Sequence, residues 1–136
     1  MSLTANREVD HYIDQELRSL QMAADTHVYK GALLGLTSGG YVRPLAAGDL
    51  FVGVAYEEID NTGGGNGDTS VRIYTLGDFG HVLSGAAISN IGDAVYASAD
   101  DTLTFTSTSN SYVGRVIDVP TGGEIILRLD TFRSAP

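Results

Sequence analysis

The stretch GDFGH, residues 77–81, sets Asp78 three positions before His81, the nearest approach in this 136-residue chain to an acid-base pair or a two-ligand metal site. A solvated aspartate and an ordinary histidine in a turn would read the same way. The other histidines, His11 and His27, stand at no helical ligand spacing from His81 or from each other, and no HExxH occurs. Ser84, in VLSGAA, lacks the GxSxG context of a nucleophile elbow. Glu57 with Glu58 and Asp100 with Asp101 suggest a glycosidase dyad, but adjacent strand residues point to opposite faces, so neither pair can be one by itself. A pocket gathering His81 beside two carboxylates would be needed to restore an enzyme.

DNTGGGNGDTS, residues 60–70, is glycine-rich without the lysine of a phosphate-cradling loop, since Gly67 is followed by Asp68. Its GGNGD is one residue short of the calcium nonapeptide and occurs once, where such sites need stacked copies. It reads as a mobile surface loop, with Asp60 and Asp68 as weak candidates for a cation. The residues therefore assign no catalytic group, no metal ligand and no cofactor.

The elements around these residues are short. Seventeen glycines fall mostly in turn-like clusters between β-prone runs, which points to an all-β domain with helix as the minor element. Strands are expected over 30–37, 40–44, 51–57, 70–76, 80–83, 94–97, 102–106, 112–119 and 123–130. In SVRIYTL, Val71 and Ile73 share one face and Tyr74 and Leu76 the other; in EIILRLD, Ile126 opposes Ile125 and Leu127. Apolar residues on both faces imply cover from two sides, by a second layer or by a neighbouring subunit. Tyr74, Leu76 and Ile126 are the candidate subunit contacts.

Residues 1–17 form a candidate arm preceding one β-rich domain, 18–136. Val9, Tyr12, Ile13, Leu17 and Leu20 recur at helical spacing, and Asp14 with Arg18 makes an i,i+4 pair, so a short amphipathic helix is expected; RSLQMA, 18–23, also fits a strand. A helix of that length is marginal alone and orders on docking.

FVGVA, 51–55, returns as YVGRV, 112–116. At the same offset Gly31 falls on Gly92, Leu34 on Val95, Val42 on Leu103 and Gly53 on Gly114. Glycine inside a strand marks a bulge, a bend or a close backbone approach. Two related β-units about a pseudo-twofold axis, with Gly31, Gly53, Gly92 and Gly114 as structural glycines, would explain the echo; two unrelated β-meanders would produce part of it.

Seventeen acids against eight bases leave a net charge of −9, with Lys30 the only lysine, so a phosphate backbone is not an expected partner. No apolar run approaches the ~20 residues that span a bilayer, the N-terminus lacks the pattern of a secretory signal, and there is no cysteine.

YKGALLGLTSGGYVRPLAAGDLFVGVA (29–55), VRIYTLGDF (71–79), IGDAVYASADDTLTFTSTSNSYVGRVIDV (91–119) and ILRLD (126–130) together resemble the capsid cement, or head decoration, proteins of tailed bacteriophages and prophages. The resemblance implies a small β-clip or tulip-like barrel, a homotrimer, and a noncatalytic role on the outer surface of the virion capsid after synthesis in the bacterial host cytoplasm. It also implies the major capsid protein as partner and an arm that orders against the shell, where Val9, Tyr12, Ile13 and Leu17 would adhere. The rival reading is a carbohydrate-binding or adhesive β-module using Tyr41 or Tyr56.

Overall fold

The computed structural model describes residues 4–5 and 17–134. In chain order the strands are β1 (Leu17–Gln21), β2 (His27–Val28), β3 (Leu33–Leu36), β4 (Val42–Pro44), β5 (Leu50–Ala55), β6 (Ile59–Asp60), β7 (Ser70–Tyr74), β8 (Asp78–Val82), β9 (Ala94–Ala99), β10 (Thr102–Thr104), β11 (Ser111–Thr121) and β12 (Glu124–Leu129). Among the described residues the helical content is one 3-10 turn, Ile88–Asn90. Each of the nine expected strands is present. The expected helix is corrected at Leu17 and Leu20: both lie in β1, which pairs antiparallel with β7 from Leu17 opposite Tyr74 to Gln21 opposite Ser70, as the strand reading of 18–23 had it. Leu17 and Leu20, three apart, do not follow the alternation of a strand, and the partner strand that makes β1 extended lies some fifty residues away.

The strands form two five-stranded antiparallel sheets, not a closed barrel. Their spatial orders are β1-β7-β5-β3-β4 and β8-β12-β11-β9-β10, with β2 and β6 as a separate pair. Laid side by side, these orders match strand for strand. Registers match as well: Leu34 opposes Gly53 as Val95 opposes Gly114, Gly35 opposes Phe51 as Tyr96 opposes Tyr112, and Ala55 opposes Ile73 as Val116 opposes Leu127. Loop bonds repeat too, since Gly31 N–H donates to Ala55 O as Gly92 N–H donates to Val116 O. The echo in the sequence is thus a duplicated unit. The offset of 61 positions holds from β1 against β8 through β5 against β11, then falls to 54 for β7 against β12, so the first copy carries seven more residues in the segment containing its glycine-rich loop.

Each copy has an inner face built from matching positions. Leu34, Val52, Ala55, Val71 and Ile73 pack with Met22, Val28 and Val42 in one cluster; Val95, Val113, Val116, Ile125 and Leu127 pack with Leu83 and Leu103 in the other. Leu33, Phe51 and Val54 leave the opposite face of the first sheet and join the second cluster. The two-sided apolar character of the first sheet is therefore satisfied by the chain's own second layer. Tyr74 belongs to this arrangement, packed edge-on to Tyr56 and tilted against Phe79.

Gly53 and Gly114 sit beside equivalent bulges, at φ of 151° and 155°. A Cβ at either position would run into a backbone carbonyl of the neighbouring strand, that of Tyr74 or of Arg128. Gly53→Ala and Gly114→Ala should each cost roughly 1–3 kcal/mol in backbone strain alone, with the clash added. Gly122→Ala, where nothing lies within 4 Å of the new atom, should change stability by less than about 1 kcal/mol. Urea unfolding of the three variants checks this ordering.

Candidate functional site

Local chemistry disperses the pair that looked most reactive. Asp78 lies opposite Arg128 on β12 and its carboxylate accepts both Nε–H and Nη2–H at 2.8 and 3.0 Å, while His81, three residues on, shares a 3.0 Å bond through Nδ1 with the carbonyl of Val82. Glu57 binds Arg72, and Glu58 binds His27 Nε2 at 2.7 Å, with Tyr29 stacked on the imidazole. Ser84 stands exposed in a turn. Between the two units, a depression of about 300 Å³ does place His81 in one wall with Asp100 and Asp101, beside Tyr29 and Lys30. Burial and the neighbouring Asp101 charge raise the Asp100 pKa, and the grouping of His81 with two carboxylates that an enzyme would need is present in this wall.

The glycine-rich loop is fastened rather than mobile. Asn61 is buried and its amide donates to the carbonyls of Ala23 and Gly65; Asp25, Asp60 and Asp68 accept the backbone N–H groups of Gly63, Thr62 and Gly65. Asn66 accepts the Ala24 N–H, and Gly67 N–H donates to Met22 O. Asp60 and Asp68 are thus spent on the loop itself, and among the described residues no group of three or more acidic or histidine side chains could hold a metal.

The wiring that sequence reading missed is a set of arginine-carboxylate pairs. Asp49 is the most enclosed: its carboxylate takes Arg43 Nη2–H at 2.7 Å, Arg43 Nε–H at 2.9 Å and the Ala46 N–H at 3.1 Å. Gly35 leaves it room, since a Cβ there would overlap the Asp49 side chain. This pins the turn after β4, whose Ala46 forms an antiparallel bridge to Ala99 in the second unit. Arg128 with Asp78, across β12 and β8, and Arg72 with Glu57, from β7 to the bend after β5, are further pairs of this kind. Arg72 also lies 4.8 Å over the Tyr56 ring, so that ring face is not a free sugar platform.

On the outer face of the second sheet, a depression of about 410 Å³ is lined by Tyr112, Arg115, Ile117, Arg128 and Asp130. Burial, then the hydrogen bond from its hydroxyl to Asp130 and the charge there, push the Tyr112 phenol above its usual pKa. Ile126, half-buried, sits on this same face opposite Gly80; Leu76 lies in the link after β7, 48% exposed. Val9, Tyr12 and Ile13 lie outside the described residues, and Leu17 opens β1 half-buried.

The described chain is thus two like β-units whose faces carry arginine-carboxylate pairs. Residues 14–128 match the family of phage cement proteins, and the chain belongs to that family, a class of structural protein of the phage head. The crystal structure of the head fiber gp8.5 N base in bacteriophage phi29 is similar at a TM-score of 0.51 and 23% identity, over 84% of this chain and 94% of that one, which shows a shared fold. Among curated proteins no match was found.

Burial alone would raise the Asp49 pKa, but the Arg43 hydrogen bond, the Ala46 N–H and the guanidinium charge outweigh it and hold the carboxyl below its usual value; Arg72 does the same for Glu57. Groups lowered on folding stabilise above their unfolded pKa, and that stability is lost as pH falls below about 4. Asp49→Asn should cost about 1–3 kcal/mol at pH 7 and flatten the acid limb of the melting temperature against pH; an unchanged acid limb would remove Asp49 as its cause.

Proposed function

We propose that this chain is a noncatalytic cement protein that attaches, as a homotrimer, to the outside of a phage or prophage head and stabilises the shell by joining copies of the major capsid protein. The family match over residues 14–128 carries the reading. Chain physics supports it. Three linked contacts raise the effective concentration of each, so a trimer holds a shell firmly without any single strong site. A net charge of −9 suits a protein outside the shell, where it neither competes for packaged DNA nor adheres to it.

Subunit contacts are assigned to Leu76 and Ile126, which present apolar surface outward, more than to Tyr74, which is engaged within its own chain. Val9, Tyr12, Ile13 and Leu17 are assigned to the shell-binding arm. Tyr112 and Tyr74 pack within the chain and one face of the Tyr56 ring is taken by Arg72, which favours this reading over the carbohydrate one.

Mass in solution should be three times 14.3 kDa; a 14.3 kDa particle at high concentration would remove the trimer. Deleting residues 1–16 should leave the assembly folded while abolishing cosedimentation with expanded shells. Undiminished cosedimentation would take the arm out of the mechanism.

A further inference from the structure

Where the chain leaves β12 it crosses from the second unit back onto the first. Leu129 N–H donates to the Gly77 carbonyl in the link between the units, and Asp130 N–H donates to Val113 O on β11. The Thr131 hydroxyl then donates to the Thr75 carbonyl, and Phe132 N–H donates to Phe51 O on β5 at 2.8 Å. Phe51 is fully buried, so its carbonyl needs that partner. Asp130 is held from the side as well, since its carboxylate accepts the Tyr112 hydroxyl at 2.9 Å and Arg133 Nη1–H at 3.3 Å. Phe51 and Tyr112 are matching positions of the two copies, and the segment is fastened to both.

Among the described residues, those other than glycine with a left-handed backbone are Asp25, Ser109 and Phe132, the last at φ 58°. Asp25 and Ser109 are short and polar, whereas at a bulky side chain this region is strained. Glycine or asparagine would accept the same backbone with less strain. Nothing inside the chain accounts for the ring: it is 50% exposed, belongs to neither apolar cluster and meets no other aromatic ring among the described residues. Strain that the surrounding structure holds in place marks a functional position. An aromatic side chain on a fixed backbone also loses little freedom on docking, which is what an interface anchor requires.

We propose that Phe132 is an anchor whose ring inserts into an apolar pocket of the major capsid protein. A second copy of this chain is the poorer fit, because the depressions described on it have charged walls: Arg115, Arg128 and Asp130 in that of about 410 Å³, Asp100 and Asp101 in that of about 300 Å³, and Glu124 in a third of about 270 Å³. None of these is an apolar socket for a phenyl ring. The inference rests on the cement reading and deepens it by naming a shell contact within the folded domain, apart from the arm.

Phe132→Gly and Phe132→Asn test it, because both keep the N–H that the Phe51 carbonyl needs and both accept the left-handed backbone. Each should melt cooperatively at or above the wild-type temperature and keep the wild-type mass in light scattering. In a cosedimentation titration with expanded shells of the major capsid protein, each should need about 30-fold or more higher concentration for half-saturation, the ~2 kcal/mol of a central contact. Variants that bind shells as tightly as wild type would overturn the anchor. Variants that melt well below wild type would overturn it too, since the ring would then serve the fold. Variants of reduced mass would place the socket on a second copy and overturn the proposal in the same way. A wild type that does not cosediment with shells would remove the cement reading itself, and the inference with it.

Discussion

At residues 53 and 114 a neighbouring carbonyl oxygen comes so close that the chain has room for a hydrogen atom and nothing larger. The bulge beside each glycine inserts one unpaired residue, Val52 or Val113, and so shifts the alternation of the strand by one. Phe51 and Val54 then share one face while Val52 and Ala55 share the other. Without the extra residue the second half of β5 would turn over, and in β11 the same slip would drive Arg115 into the core where Val116 now sits. Two inner faces, and the contact between the units, therefore depend on a glycine tolerated at an extended positive φ that other residues rarely adopt.

Duplication gave this scaffold twice, and the copies differ where their surroundings differ. Inner positions keep their character: Leu34 with Val95, Val52 with Val113, Ile73 with Leu127. Outer positions do not. Val54 becomes Arg115 and Tyr74 becomes Arg128, trading packing against a sister unit for a guanidinium surface. The seven extra residues fall between β5 and β7, the segment that holds the fastened loop and β6; β6 pairs with the earlier β2, and Ile59 packs against the first inner cluster. The first inner face is closed by residues of its own unit, and the second inner face by Leu33, Phe51 and Val54 of the first sheet.

Alternation and turn residues made nine strands legible, and the paired FVGVA and YVGRV words made the repeat legible, because both signals are local. What stayed hidden depends on residues distant in sequence. Leu17 and Leu20 fit a helix until β7 is known to lie beside them. The 60–70 loop looked mobile because its glycines were visible, while the groups that fasten it, among them the Ala23 carbonyl and the Asp25 carboxylate, belong to a segment some forty residues earlier. Two-residue strands such as β2 and β6 carry no period to detect. Tyr74 read as an outward residue because its neighbours Tyr56 and Phe79 lie on other elements.

The arginine pairs bear on the protein's partners as well as its fold. Arg43, Arg72, Arg128 and Arg133 each hold a carboxylate, so four of the chain's eight basic residues are neutralised within it. Pairing removes equal numbers of charges of each sign, so the surplus of nine negative charges is carried by acids without such partners and sets the field a neighbour meets. A polyanion is repelled by that field at distances up to about the Debye length, roughly 8 Å at physiological salt. Closer in, contact must rely on apolar surface and on the few cations left unpaired. Among the described residues Arg115 is such a cation, placed beside Ile117 in the depression on the outer face of the second sheet. A surface of this charge is poorly suited to a phosphate backbone.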